Sequence, residues 1–114
     1  MRSVTSPPFP EFVSLHKPCS MFALHSVYLK PIPEVDLYLP AHRAFLKTLY
    51  DKGITICSGP QIPRTGGFIL MKAASKAEAL GFMQDDPYVI HGLARYSVIE
   101  FEVKSFAEGF RPFT

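Results

Sequence analysis

The sequence predicts an α+β sandwich in which two helices cover one face of a four-stranded antiparallel sheet. Three observations carry this. Four short apolar stretches read as strands, two segments between them carry helical spacing, and the middle two strand-like stretches are too close for a parallel crossover. With 114 residues, 47% of them hydrophobic and 19% charged, the chain suffices for one core and one domain.

The first strand is expected over Phe22 to Leu29, with apolar residues on both faces, so that each face needs cover. Pro31 and Pro33 end it. A helix then follows with Pro40 in its first turn and runs to Lys52, where Gly53 suits the left-handed cap. Phe45, Leu46 and Leu49 line its inner side, and His42, one turn earlier, completes that stripe and is expected to point at the sheet. Ile54 to Ser58 is the second strand, stopped by Gly59-Pro60. A loop through Arg64-Thr65-Gly66-Gly67 leads to a third strand over Phe68 to Met71, which makes a hairpin with the second. Ser75 and Glu78 have the spacing of a capping box, so the second helix starts there, includes Ala79, Leu80, Phe82 and Met83, and is ended by Asp85-Asp86-Pro87. The last strand, Ala94 to Val103, sets Ile99, Phe101 and Val103 on one face and Val98, Glu100 and Glu102 on the other.

The order βαββαβ describes a split βαβ, ferredoxin-like sandwich with one bare sheet face. No further element remains to cover that face, so a second copy packing sheet to sheet is the economical solution, and a homodimer is expected. The domain spans residues 21–106, preceded by an irregular N-terminal arm or extension over 1–20 and followed by a C-terminal tail over 107–114.

Composition excludes several function classes. A net charge of +2, with scattered lysines and arginines, makes no concentrated basic face for nucleic acid. No apolar run approaches the ~20 residues of a membrane span. Cys19 and Cys57 form neither a disulfide framework nor a metal-ligand spacing. Residues 1–20 carry Pro7, Pro8, Pro10 and Pro18 without the apolar segment of a secretory signal, so the expected location is cytoplasmic. The histidines and the acidic doublet show no H-x-H, H-x-x-x-H or H-E-x-x-H spacing, and no metal is expected. A Gly-rich phosphate loop, a G-x-S-x-G elbow and a reactive cysteine context are all missing, which disfavours nucleotide use and acyl transfer.

Ala41-His42-Arg43-Ala44-Phe45-Leu46, Gly53, Ser58-Gly59-Pro60, Gly66-Gly67 and Asp86-Pro87-Tyr88 occur in that order within a stretch from Met21 to about Phe106. In this the chain resembles the YCII-related (YciI-like) family of small dimeric α+β proteins. The resemblance implies a ferredoxin-like dimer of the dimeric α/β barrel type, without a cofactor, and a site around a His and an Asp that map to His42 and Asp86. The family is similar in fold to muconolactone isomerase, and one branch is associated with dehydrochlorination of chlorinated hydroquinones. Cofactor-free proton transfer on a small cyclic substrate is therefore the chemistry implied. The chain departs from the pattern at His91, where the family usually has a small or apolar residue, and over its first 20 residues.

Read as chemistry, a carboxylate that accepts from one imidazole nitrogen leaves the other free as a base. Asp86 is the candidate partner of His42. Each also has a structural reading: His42 as a hydrogen-bonded core residue, Asp86 as a turn residue bonding nearby amides, with Asp85 equally able to do so. Arg64, in its Gly-flanked loop, either clamps a carboxylate or an ionised phenol or is simply solvated. Ser58 offers a hydroxyl to a substrate oxygen or only turns the chain. Tyr88 and His91 follow Asp86 and either line the same pocket or fill the dimer seam, and His25 on the first strand shares that ambiguity. Two functions survive. One is a cofactor-independent lyase or isomerase in which His42, oriented by Asp86, moves a proton on a small cyclic or hydroxylated molecule. The alternative is a non-catalytic ligand-binding or dimerisation module on the same fold. Expected partners are a second copy of the chain, in a dimer or a larger assembly, and a small molecule.

Overall fold

The computed structural model describes residues 12–14 and 19–114. The arm expected over residues 1–20 therefore lies outside the described residues, apart from 12–14, 19 and 20. Strand β2, Ser20–Tyr28, runs through the middle of a four-stranded sheet, with β4, Gly66–Met71, on one side and β5, Ala94–Glu102, on the other. Strand β3, Thr55–Pro60, lies outside β4, giving the order β3-β4-β2-β5 with every pair antiparallel. This is the ferredoxin-like arrangement. The hairpin between β3 and β4 turns over Gln61 to Thr65, and at its end Gly66 lets β4 close up on β2. A Cβ there would sit 1.8 Å from the Ser26 carbonyl oxygen.

Helices α2, Leu39–Asp51, and α3, Lys76–Phe82, pack on one face. Phe22 and Leu24 of β2, Ile69 and Met71 of β4, Leu49 of α2, Ala79 of α3 and Met83 fill the space between, with Phe45, Leu46, Tyr96 and Val98 beside them. Alternation along the strands and the helical stripe on α2 thus converge on one core. The end of α2 follows the Gly53 signal: at φ +73° the glycine donates to the Tyr50 carbonyl at 2.9 Å, and Ile54 donates to that of Leu49 at 3.0 Å. Ser75 caps α3 by accepting from the Glu78 amide at 3.1 Å. Glu78 reaches back to the Ala74 amide at 2.7 Å, one residue beyond the usual capping-box partner.

Two short helices were not foreseen from the sequence. Helix α1, Ile32–Asp36, begins where Pro31 and Pro33 end the strand, since proline is tolerated in a first helical turn as readily as it stops a strand. Helix α4, Pro87–Ile90, uses the same device. Val35 of α1, Tyr88 of α4, Leu93 and Ala94 form a second cluster with Tyr28, Tyr38 and Leu39 at that end of the sheet.

The opposite sheet face is covered at one end only. Strand β1, Phe12–Ser14, pairs with β6, Ser105–Ala107, and a 3-10 turn over Glu108–Phe113 follows. Val103, Phe106 and Phe110 close over Met21, Ile56 and Leu70. Beyond that cap the face is open, with Val27 41%, Phe101 44%, Phe68 50% and Ile99 64% exposed. None of the helices among the described residues is long and apolar enough to cross a membrane.

Candidate active site

The first turn of α2 delivers His42, and the start of α4 delivers Asp86. After α3 the chain makes a 3-10 turn over Met83–Asp85, and Pro87 then holds Asp86 extended at φ −65°, ψ 126°. Asp86 is thus the residue that opens α4 rather than one that closes α3. Its Oδ1 accepts from the Tyr88 amide at 3.0 Å, so the turn-forming role and the histidine-pairing role fall on the same carboxylate. Across 44 residues of sequence, His42 Nδ1 meets that Oδ1 at 2.8 Å. Oδ2 accepts from the Tyr96 hydroxyl at 2.7 Å. Asp86 is 0% exposed and the His42 side chain 13% exposed, so the carboxylate lies behind the imidazole. Asp85, its neighbour in the doublet, is exposed.

A carboxylate only accepts, so in the neutral imidazole the proton sits on Nδ1 and Nε2 carries the lone pair. The His42 ring lies flat on the Tyr88 ring, centroids 3.9 Å apart and planes 2° from parallel. Tyr88 in turn meets Tyr28 edge-on at 6.2 Å. Arg64 donates from Nε to the Tyr28 hydroxyl at 3.2 Å and from Nη2 to Asp36 at 2.6 Å. Those two hydrogen bonds raise the guanidinium above its already high range, and the bond from Arg64 lowers the Asp36 carboxyl. Burial pushes the Tyr88 phenol up to about 12. Burial, and after it the charge of Asp86, raises the Tyr96 phenol further. Both tyrosines are neutral donors across the physiological range.

A cavity of about 600 Å³, within the range of small-molecule sites, lies between α2 and the sheet, and Asp86 stands behind its wall rather than in it. His42, Ser58, Arg64 and Tyr88 all line it, together with Tyr28, Arg43, Lys47, Tyr50 and Tyr96. The Ser58 hydroxyl bonds the Tyr50 hydroxyl at 2.6 Å on the far wall. His91 is not part of the lining. It is the exposed C-cap of α4, and its ring stacks on Tyr38 at 4.1 Å. His25 lies on the opposite sheet face, stacked on Phe68 and hydrogen-bonded to Gln61 at 2.9 Å. Among the described residues no three His, Cys, Asp or Glu side chains converge as metal ligands do.

Tyr96 and Tyr28 escaped the sequence reading. The signal was present in the strand alternation, which puts Tyr96 on the side of Val98 and Tyr28 on the side of Phe22 and Leu24, beneath the helices.

The family model of the YCII-related domain matches residues 14–102. Among solved structures, the fold is similar to 5-chloro-2-hydroxyhydroquinone dehydrochlorinase from Burkholderia phenoliruptrix AC1100, in complex with 2,5-dihydroxybenzoquinone, at a TM-score of 0.58 and 26% sequence identity. That similarity covers 74% of this chain and 93% of the other. No curated protein sequence matches the chain.

Proposed function

Because the chain belongs to the YCII-related family, whose model spans most of its length, we propose that it is a cofactor-independent lyase or isomerase that moves a proton on a small hydroxylated ring. The observation that carries this reading is the 2.8 Å bond from His42 Nδ1 to the buried Asp86, made by a histidine that lines the cavity. Asp86 fixes the tautomer and the ring orientation, and His42 Nε2 acts as the base. The similar dehydrochlorinase supports a hydroxyhydroquinone-like substrate. On a chlorinated ring of that class, His42 takes one hydroxyl proton, a second hydroxyl proton passes to the carbon bearing chlorine, and chloride leaves with the C–Cl electron pair. The ring becomes a hydroxyquinone, and the net loss is HCl, with no external oxidant.

The test is incubation with 5-chloro-2-hydroxyhydroquinone, following chloride release and quinone absorbance. Chloride release by the wild type, lost in His42→Ala, is the expected result. Binding of 2,5-dihydroxybenzoquinone without chloride release favours the ligand-binding module, and the absence of both binding and release contradicts the reading.

We also propose that two copies pack through the open sheet face, alone or within a larger assembly. Val27, Phe68, Ile99 and Phe101 expose apolar area there that water disfavours. Light scattering on an eluting peak is expected to give a dimer mass for the wild type and a monomer mass for the double variant Phe68→Glu, Ile99→Glu. A monomeric wild type rejects this interface.

A further inference from the structure

The wall of the cavity carries charge of one sign. Arg43, Lys47 and Arg64 line it beside His42, and no aspartate or glutamate does. Two of these cations are already matched, Lys47 by Asp51 at 2.8 Å and Arg64 by Asp36 at 2.6 Å. Asp86, behind the wall, accepts from His42, the Tyr88 amide and the Tyr96 hydroxyl. Arg43, by contrast, has neither an ion pair nor a side-chain hydrogen bond among the described residues. One positive charge of the wall is left unmatched.

Helix α2 gives no structural reason for a cation at that position. Arg43 and Lys47 stand one turn apart on the same side, and like charges at that spacing weaken a helix. Asp51, the only carboxylate of α2, is its last residue, so the cations precede the anion, the reverse of the order that the helix macrodipole favours. An anion held in the cavity beside Arg43 offsets the repulsion.

The residue types in the wall suit a carboxylate on a ring. A guanidinium presents two parallel N–H donors, which match the two oxygens of a carboxylate. A single unmatched charge suits a monoanion better than a phosphate dianion. The rings of Tyr28, Tyr88 and Tyr96, in the same wall, offer apolar surface to an aromatic or unsaturated ring.

On the reading of His42 as the base of this site, we propose that Arg43 binds a carboxylate of the substrate. The ring on which His42 acts then carries an acid group beside its hydroxyls, a substituent that 5-chloro-2-hydroxyhydroquinone lacks. His42 and Arg43 are consecutive in α2 and line the same cavity, so both serve one ligand. Lys47 adds attraction that Asp51 partly offsets.

The probes are 2,5-dihydroxybenzoate and 2,5-dihydroxybenzamide, which share their shape and hydroxyls and differ in charge. By titration calorimetry the wild type is expected to bind the benzoate about tenfold more tightly than the benzamide, the size of one charge-assisted contact. Arg43→Gln is expected to remove most of that preference and to leave the benzamide affinity unchanged. Because Arg43 is exposed and unpaired, this variant is expected to melt at the wild-type temperature. Failure of the wild type to bind the benzoate, equal affinity for the two probes, or a preference that persists in Arg43→Gln overturns the proposal. It fails separately from the reading of His42. Unchanged turnover in His42→Ala with the charge preference lost in Arg43→Gln removes the base and leaves the carboxylate site, and the reverse pattern removes the carboxylate site alone.

Discussion

Asp86→Ala is expected to lose about 3–5 kcal/mol of stability, which is a large share of the 5–15 kcal/mol typical of a domain. Three donors converge on this one buried carboxylate: His42 Nδ1, the Tyr88 amide and the Tyr96 hydroxyl. Truncation orphans all three, at about 1–3 kcal/mol for each that stays buried, and removes the cap that starts α4, worth about 1 kcal/mol. Asp86→Asn keeps the volume and an acceptor oxygen for the Tyr88 amide, so it is expected to lose less, about 1–3 kcal/mol, through the changed bonds to His42 and Tyr96. Urea denaturation of the two variants measures this directly. A loss below about 1 kcal/mol in Asp86→Ala would mean that the carboxylate does not organise its surroundings as its hydrogen bonds indicate.

For His42→Ala, the expected result is a fall in kcat of about 10²–10⁴-fold on whichever hydroxylated ring the wild type turns over, the usual contribution of a positioned general base. KM is expected to change much less, because Arg64 and the Tyr50–Ser58 wall remain. The substitution opens a flat space over the Tyr88 ring, bounded by the Asp86 carboxylate. Added imidazole is expected to enter it and restore part of kcat. A residue that served only packing would show no such rescue. A decrease of less than about tenfold would place the base elsewhere.

How much of this the sequence reveals depends on how local each signal is. Helix α2 is legible because its stripe and its Gly53 cap are local, and the structure satisfies both. The sheet order follows from the βαββαβ succession and the short hairpin loop. Helices of four or five residues carry no periodicity, so α1 and α4 are hidden, and the prolines that start them read instead as stops. The same ambiguity put Asp86 at the end of one helix when it opens the next. The partial cover of the far sheet face was invisible because it depends on residues 103–110 folding back over Met21 and Ile56. His42 and Asp86 were nominated by a family resemblance, since a contact across 44 residues has no local signature. His91, two strides past Asp86 and Tyr88 in sequence, turns away from the cavity because the short helix α4 rotates it toward Tyr38.

The central claim is that Asp86 holds the His42 proton on Nδ1 and leaves Nε2 bare toward the ligand. Nitrogen chemical shifts of the His42 ring, in protein labelled with nitrogen-15 and held where the imidazole is neutral, test it most directly. The account predicts a protonated Nδ1 and a lone-pair-bearing Nε2. A proton on Nε2 in the neutral ring would contradict it.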